Sequence, residues 1–460
     1  MKKYIVPIII FLVSLSLLSY NLGNKSLEPW DEAWYASISR EIYQGGSLLD
    51  IQFNGHSFWD HPPLGFYLIA VSFKTFGVGE FSARIPMAIF ACLALVLLYL
   101  TGKNLKNPYV GFCAALVAIS SRWFLIRARS ANLDLLLLFT QLLVFYQAYR
   151  AKTKKDVFLL WFFFALSLSA KSVISIFLLP LVLIPTVRVL KKEKQKAVFI
   201  FKTILLFALP VLLWYLFNYI KYGSPFLERN IWTIAFREGK GSGLSIKALF
   251  ETLLYLRSAI HKWYLPLMAS LSIGIIFLKK RSFRWVFGYL FLVFFPFLIS
   301  SQTRIWHLVP AIAPISLIIP LAVFEIYELV FSFSKNKLKK LYLPGKYLIV
   351  LVFLLICLKS VKDYWLDTFE IPKTISNEAV LAIKAKEIDL PLYLQDDTYF
   401  PAVVFYADRK VNILRYYNEN TLNEIQRPFQ LISKKNLIKD LENYEIVEAL
   451  GDGVFVIVKN

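Results

Sequence analysis

The sequence predicts an all-α polytopic membrane bundle, with about eleven transmembrane helices, followed by a small C-terminal α/β domain. Three observations predict it. Of the 460 residues, 57% are hydrophobic and only 18% charged, where a soluble chain carries about a quarter. The apolar residues come in long runs, such as 200–220 and 347–358, parted by short polar clusters. Basic residues recur in those clusters at intervals that fit one side of a membrane.

Apolar stretches of spanning length lie near 4–20, 83–101, 108–124, 132–149, 156–170, 173–190, 199–221, 263–279, 283–301, 307–331 and 346–362. Basic clusters occupy 2–3, 103–106, 150–155, 188–196, 279–281 and 335–340. Eleven spans and a cytoplasmic N-terminus place all six on the cytoplasmic side, as the positive-inside tendency requires. One span more or fewer would break that agreement downstream. The start of the chain resembles a signal peptide without a small-residue cleavage site, so an uncleaved anchor is expected.

The net charge of +21 is unevenly distributed. Residues 1–362 hold 41 basic and 15 acidic residues, a net +26, whereas 363–460 hold 11 and 16, a net −5. The basic excess therefore sets topology, and no nucleic-acid partner is expected. Cys92, Cys113 and Cys357 all fall inside apolar runs. They read as small buried hydrophobes and not as a disulfide or zinc framework.

The chain divides into a membrane domain, 1–362, and a soluble extracytoplasmic α/β domain, 363–460. This topology also puts 20–82, 125–131, 171–172, 222–262 and 302–306 outside the cytoplasm. The first of these loops is too long for a simple connector. It holds two amphipathic stretches, 32–43 and 62–76, expected as interfacial helices, with turns at Gly45–Gly46 and Asn54–Gly55. In the tail, β-prone runs at 392–394, 402–406, 411–414, 429–432 and 454–458 alternate with helix-like stretches at 377–387 and 435–443.

Chemistry-bearing residues gather on the outer side. Asp31, Glu32, Asp60 and Glu80 lie in the first outer loop, and Asp134 opens the fourth span. Carboxylates beside a bilayer are expensive and often functional, although Asp31 and Glu32 also suit the first turn of a helix. All four histidines, His56, His61, His261 and His307, are outer. With Asp60, the set His61, His261 and His307 is a candidate site for a divalent metal ion. Arg84, Arg127, Arg129, Lys171, Arg237, Lys240 and Arg304 sit at outer span ends, against the positive-inside tendency. Anionic headgroup recognition is one reason for cations there, and snorkelling is another.

Several runs carry a family resemblance. Residues 28–42 read Glu-Pro-Trp-Asp-Glu-Ala-Trp-Tyr-Ala-Ser-Ile-Ser-Arg-Glu-Ile. Asn54-Gly55 is followed by Asp60-His61-Pro62-Pro63-Leu64 and Tyr67, then by Phe76-Gly77, Glu80-Phe81 and Ala83-Arg84-Ile85-Pro86. Arg129 to Asp134, Ala170-Lys171, His307 to Pro310 with Pro314, and Phe405-Tyr406 to Arg409 continue the series in order. Together they resemble the dolichyl-phosphate-mannose–protein mannosyltransferase and aminoarabinose transferase superfamily.

The resemblance implies a C-type glycosyltransferase fold and a sugar donor carried on a polyprenyl phosphate. It implies that Asp31, with Glu32 beside it, is the first-loop catalytic carboxylate, orienting or deprotonating an acceptor hydroxyl. Asp134 corresponds to the second acidic position. Arg84, Lys171, Arg237, Arg304 and His61 are the candidate cations for the donor phosphate, a leaving group that needs charge stabilisation and no proton. Displacement would invert the anomeric centre in one step. Two positions depart from the aminoarabinose branch, which has Glu-Lys where this chain has Asp60-His61 and a histidine that Trp232 to Arg237 do not supply. A resident cofactor is therefore not assigned beyond a possible metal. The acceptor, a lipid, glycan or protein hydroxyl (or phosphate), is open, as is the sugar.

A transporter or flippase for a lipid-linked precursor is the other class considered. It would bring internal repeats and ionisable or broken helices at mid-membrane. No repeat is visible, and the polar residues gather at one side.

Overall fold

The structure, a computed structural model, describes residues 4–171, 173–192, 197–235, 246–298, 304–333, 339–370, 372–395, 400–414, 425–438, 441 and 443–459. They form two compact units that interleave along the chain. The first comprises 1–20, 59–65 and 87–370, and the second comprises 21–58, 66–86 and 371–460. The compact unit that contains the tail thus takes in most of residues 20–82 as well.

Every one of the eleven apolar stretches carries a helix, all within the first unit but for the start of Glu80–Leu105. Among the described residues, six helices are long and apolar enough to cross a membrane: Glu80–Leu105, Ile174–Lys191, Phe201–Tyr222, Phe250–Ile276, Ile305–Phe333 and Tyr342–Asp363. A seventh arises if the bent pair Pro108–Ile119 and Arg122–Ala128 is one span. Their burial separates roles. The apolar window of Ile305–Phe333 is 89% buried, whereas those of Phe201–Tyr222 and Tyr342–Asp363 are 17% buried. On the latter helices Leu205, Leu212, Ile220, Leu351 and Leu355 stand exposed, which is tolerable only if the surrounding solvent is apolar.

Helix starts follow their capping residues. Asn107 accepts from the Val110 N–H at 3.0 Å ahead of a helix opening on Pro108. Thr153 and Asp156 form a capping box before the helix Lys154–Ala170, with bonds of 3.3 and 2.9 Å. The expected span 108–124 is instead bent by 73°. The Ser120 and Ser121 hydroxyls donate back to Leu116 and Val117 carbonyls at 2.5 and 2.8 Å, offering the chain bonds other than those of a continued helix. Beyond the bend, the helix Arg122–Ala128 carries Arg127.

In the second unit the amphipathic stretches form helices Asp31–Tyr43 and Leu64–Phe76, the latter starting at its edge in the first unit. Between them β1 (Gln52–Phe53) and β2 (His56–Ser57) make a hairpin closed by Asn54 and Gly55, both at positive φ. A two-residue turn of that hand matches strand twist, and Asn-Gly tolerates it best. The tail strands are β3 (Leu392–Leu394), β4 (Val411–Ile413), β5 (Phe429–Lys434), β6 (Tyr444–Leu450) and β7 (Gly453–Val458). They form one sheet in the order β4-β3-β5-β7-β6, with β3 parallel to both β4 and β5. Phe429, Leu431, Val454, Val456 and Val458 fill its core.

Three local expectations fail. The β-prone run 402–406 lies in a helix, Phe400–Ala407, because its valines and Phe405 are buried on helical packing faces and tertiary context overrides propensity. The helix expected over 435–443 is a single 3₁₀ turn, Lys435–Leu437, where described. Strand β6 was not foreseen. Its pattern does not alternate cleanly, with Glu445 and Ile446 both exposed, and it carries a bulge between Ile446 and Glu448.

Candidate functional site

The second unit holds three of the first-loop carboxylates, Asp31, Glu32 and Glu80. Asp31 is the first residue of its helix and partly exposed, placed where the helix dipole favours an anion. Glu32 is different, being 2% exposed and fully engaged. Arg84 Nε and Nη2 donate to its two oxygens at 3.0 and 2.8 Å, and the Glu28 N–H adds a third bond at 2.9 Å. Arg84 also donates through Nη1 to the Leu22 and Lys25 carbonyls at 3.0 and 2.7 Å, and through Nη2 to Ser26 at 3.0 Å. A guanidinium has five N–H donors, and all five are used. The expectation that Arg84 binds a donor phosphate gives way to a structural role, and Glu32 becomes its counter-ion.

The remaining motifs of this unit are also joints. Asn54 accepts from the Val411 N–H at 2.9 Å and donates to the Val411 carbonyl at 2.8 Å, pairing like a strand residue with β4. Arg40 donates to Val404 at 3.1 Å and to the Phe405 carbonyl, with Asp408 at 3.1 Å and the Phe405 ring beneath it. Tyr406 accepts from the Leu27 N–H and donates to Glu80, both at 2.8 Å. Burial, then the Glu80 charge, hold its hydroxyl protonated far above the usual range. Arg409 donates to the carbonyls of Ala385, Ile388 and Leu390, closing the end of the helix Asn377–Lys386.

In the first unit Asp134, 2% exposed, opens the helix Asp134–Arg150. Lys171, the residue that ends the helix Lys154–Ala170, donates to Asp134 Oδ1. Arg127 Nε lies 3.3 Å from Asp134 Oδ2. The approach is an ion pair without hydrogen-bond geometry, since both atoms are buried and unbonded. The Arg127 guanidinium sits 5.2 and 5.3 Å from the Trp123 and Trp306 rings. Two buried cations thus share one carboxylate, and the aromatic rings hold the second by cation–π attraction. A Cβ on Gly65, in the first turn of the helix Leu64–Phe76, would meet Leu133 Cδ2 at 2.3 Å, so a larger residue there has to displace the side chain that precedes Asp134.

His307 stacks on Phe297 at 5.9 Å, and its Nδ1 accepts from the Arg304 N–H at 3.0 Å. The Arg304 side chain is exposed. Asp60 is held by Arg229 through bonds of 2.6 and 2.7 Å, while Asn230 donates to the Trp59 carbonyl at 2.6 Å. His61 is buried beside them in the chain, and His261 lies exposed at φ 46° against the Tyr364 ring. Among the described residues no three His, Cys, Asp or Glu side chains converge to hold a metal ion. The set Asp60, His61, His261 and His307 is therefore not brought together, and Asp60 already has its counter-ion. Arg237 and Lys240 lie outside the described residues. The sequence reading brought out neither Arg229 as the partner of Asp60 nor Arg127 as the partner of Asp134. Spacing carries no signal for pairs 169 residues apart, and only the aromatic residues around Arg127 hinted at a packed cation.

Residues 60–214 match the family model for dolichyl-phosphate-mannose-protein mannosyltransferase. An uncharacterized protein of Aquifex aeolicus is 28% identical over 235 residues, 50% of this chain and 46% of its own length. The undecaprenyl phosphate-alpha-4-amino-4-deoxy-L-arabinose arabinosyl transferase of Pseudomonas savastanoi is 36% identical over 126 residues, 27% of this chain and 24% of its own. The matches span less than half the length of these curated relatives. In fold, ArnT from Cupriavidus metallidurans bound to undecaprenyl phosphate aligns with a TM-score of 0.72, over 98% of this chain and 97% of that one, at 14% identity. An Archaeoglobus fulgidus oligosaccharyltransferase aligns with a TM-score of 0.57 over 92% of this chain and 68% of its own, at 12% identity. The chain thus has the ArnT fold, resembles the mannosyltransferase and aminoarabinose transferase superfamily, and is a multi-pass membrane protein.

Proposed function

We propose that this chain is an inverting glycosyltransferase that moves a sugar from a polyprenyl-phosphate donor to a hydroxyl or phosphate on a lipid, glycan or protein. The reaction is placed at the outer face of the cytoplasmic membrane, with eleven spans, a cytoplasmic N-terminus and the tail outside. The observation that carries the reading is the fold shared along 98% of the chain with a transferase solved with undecaprenyl phosphate. A second support is chemical. The buried cluster of Lys171, Arg127 and Asp134 has one more cation than carboxylate, the charge a phosphate leaving group requires.

In this reading Lys171 and Arg127 stabilise the departing lipid phosphate, and Asp134 holds them in place until it arrives. Asp31 orients the acceptor hydroxyl and takes its proton as the new bond forms. Glu32 holds Arg84 and the start of the helix. Arg304 and His61 are secondary candidates for the lipid headgroup.

The test is Asp31→Asn in the full chain. Sugar transfer, followed by mass spectrometry of envelope lipids and glycans, falls by about 10²–10⁴-fold, with expression and melting temperature unchanged. Normal transfer by this variant overturns the assignment.

A further inference from the structure

A cavity whose described lining belongs to the tail lies at the carboxyl ends of the parallel strands β3 and β5. Its volume is about 420 Å³, within the range of small-molecule sites. From β3 the chain leaves to β4 on one side and returns as β5 on the other. That is the position in an open α/β sheet where the strand ends leave a crevice. The floor is aliphatic, formed by Leu381, Leu394, Val403 and Ile432, all buried. The rim is polar, carrying Asn377, Glu378, Lys434 and Asp452, with Ser433 buried beneath it and its hydroxyl donating to Gln395.

The rim chemistry selects the ligand. Among the described residues its charged groups are two carboxylates and one ammonium, a net negative edge unsuited to a phosphate. The helix N-terminus at Asn377 would ordinarily invite an anion, but Glu378 already stands in its first turn. An apolar bed edged by carboxylate and amide groups suits a ring with an apolar C–H face and equatorial hydroxyls. We propose that this cavity binds an uncharged pyranose residue, giving the tail a saccharide-recognition site apart from the buried lysine–arginine cluster. In the transfer reading it holds a sugar unit of the acceptor. The binding itself does not depend on that reading, because it is measured without donor.

The experiment uses the full chain in nanodiscs and saturation-transfer-difference NMR with the methyl glycosides of glucose, mannose, galactose and N-acetylglucosamine. At least one glycoside gives a signal, and the double variant Glu378→Gln, Asp452→Asn binds it about tenfold more weakly at an unchanged melting temperature. Should that pair melt early, Glu378→Gln alone provides the same readout. Absence of binding by all four glycosides, equal binding by folded variants, or displacement of the glycoside by inorganic phosphate overturns the proposal. Asp31→Asn keeps glycoside binding, so the failure of either idea is told apart from failure of the other.

Discussion

Two buried ion pairs look alike in burial and differ in satisfaction. Glu32 and Arg84 in one unit have relative side-chain exposures of 2% and 5%, and Asp134 and Lys171 in the other have 2% and 10%. Arg84 has its five donors matched by five acceptors from residues 22–32. A network so complete rigidifies its surroundings and has nothing left to offer a ligand. The Asp134 cluster is incomplete: two cations face one carboxylate, and the Oδ2 of Asp134 and Nε of Arg127 lack hydrogen bonds. Unsatisfied buried polar atoms are costly, and they persist where a ligand or function uses them. Burial alone therefore does not mark a site, whereas burial with an unmatched donor set does.

The largest effect expected from this contrast is on stability. Arg84→Met leaves the Glu32 carboxylate buried without its counter-ion and costs about 3–5 kcal/mol, read by thermal unfolding. Whatever fraction stays folded keeps its affinity for polyprenyl phosphate, and a well-folded variant that has lost donor binding would reverse the two roles. Next comes Lys171→Met. Because Arg127 still faces Asp134, unfolding shifts less than for Arg84→Met, while transfer falls by about 10²–10³-fold. Equal loss of stability in both variants, with unaltered turnover for Lys171→Met, would erase the contrast.

A smaller effect belongs to Asn54, whose side chain pairs with both backbone groups of Val411. Asn54→Ala costs about 1–3 kcal/mol, measured by denaturation, and leaves turnover per folded molecule intact. The smallest is a pH effect at Asp408. Burial pushes this carboxyl up, but the Lys386 hydrogen bond and the Arg40 charge outweigh it and hold it below the usual range. A depressed folded pKa contributes stability above the unfolded value of about 3.9 and loses it as pH falls through the folded one. Melting temperature of the wild type therefore drops more steeply than that of Asp408→Asn as pH is lowered below about 4, and parallel curves would remove Asp408 from the contact.

The same contrast explains what was legible in advance. Apolar run length and basic clusters report the membrane directly, because each residue answers separately to lipid or water. Asn54-Gly55 announced its turn, which the structure closes into a hairpin, because a two-residue turn at positive φ admits few side chains. Asp134 and Lys171 were singled out as charges in apolar surroundings, and the structure brings them together. The roles within the Arg84 network were not legible, since its acceptors are main-chain carbonyls that any residue supplies. Nor was the helix Phe400–Ala407, whose valines prefer strands until packing decides otherwise.

By itself, then, the sequence determined which segments are apolar enough for lipid and which turns demand particular residues. These depend on local free energies of transfer and backbone freedom. The tertiary structure alone decided that Arg84 is saturated, that Asp60 answers to Arg229, and that Arg127 joins Lys171 at Asp134. Those outcomes depend on distance and donor count between residues far apart in the chain, and electrostatic pairing falls off too steeply with separation for spacing to foretell it.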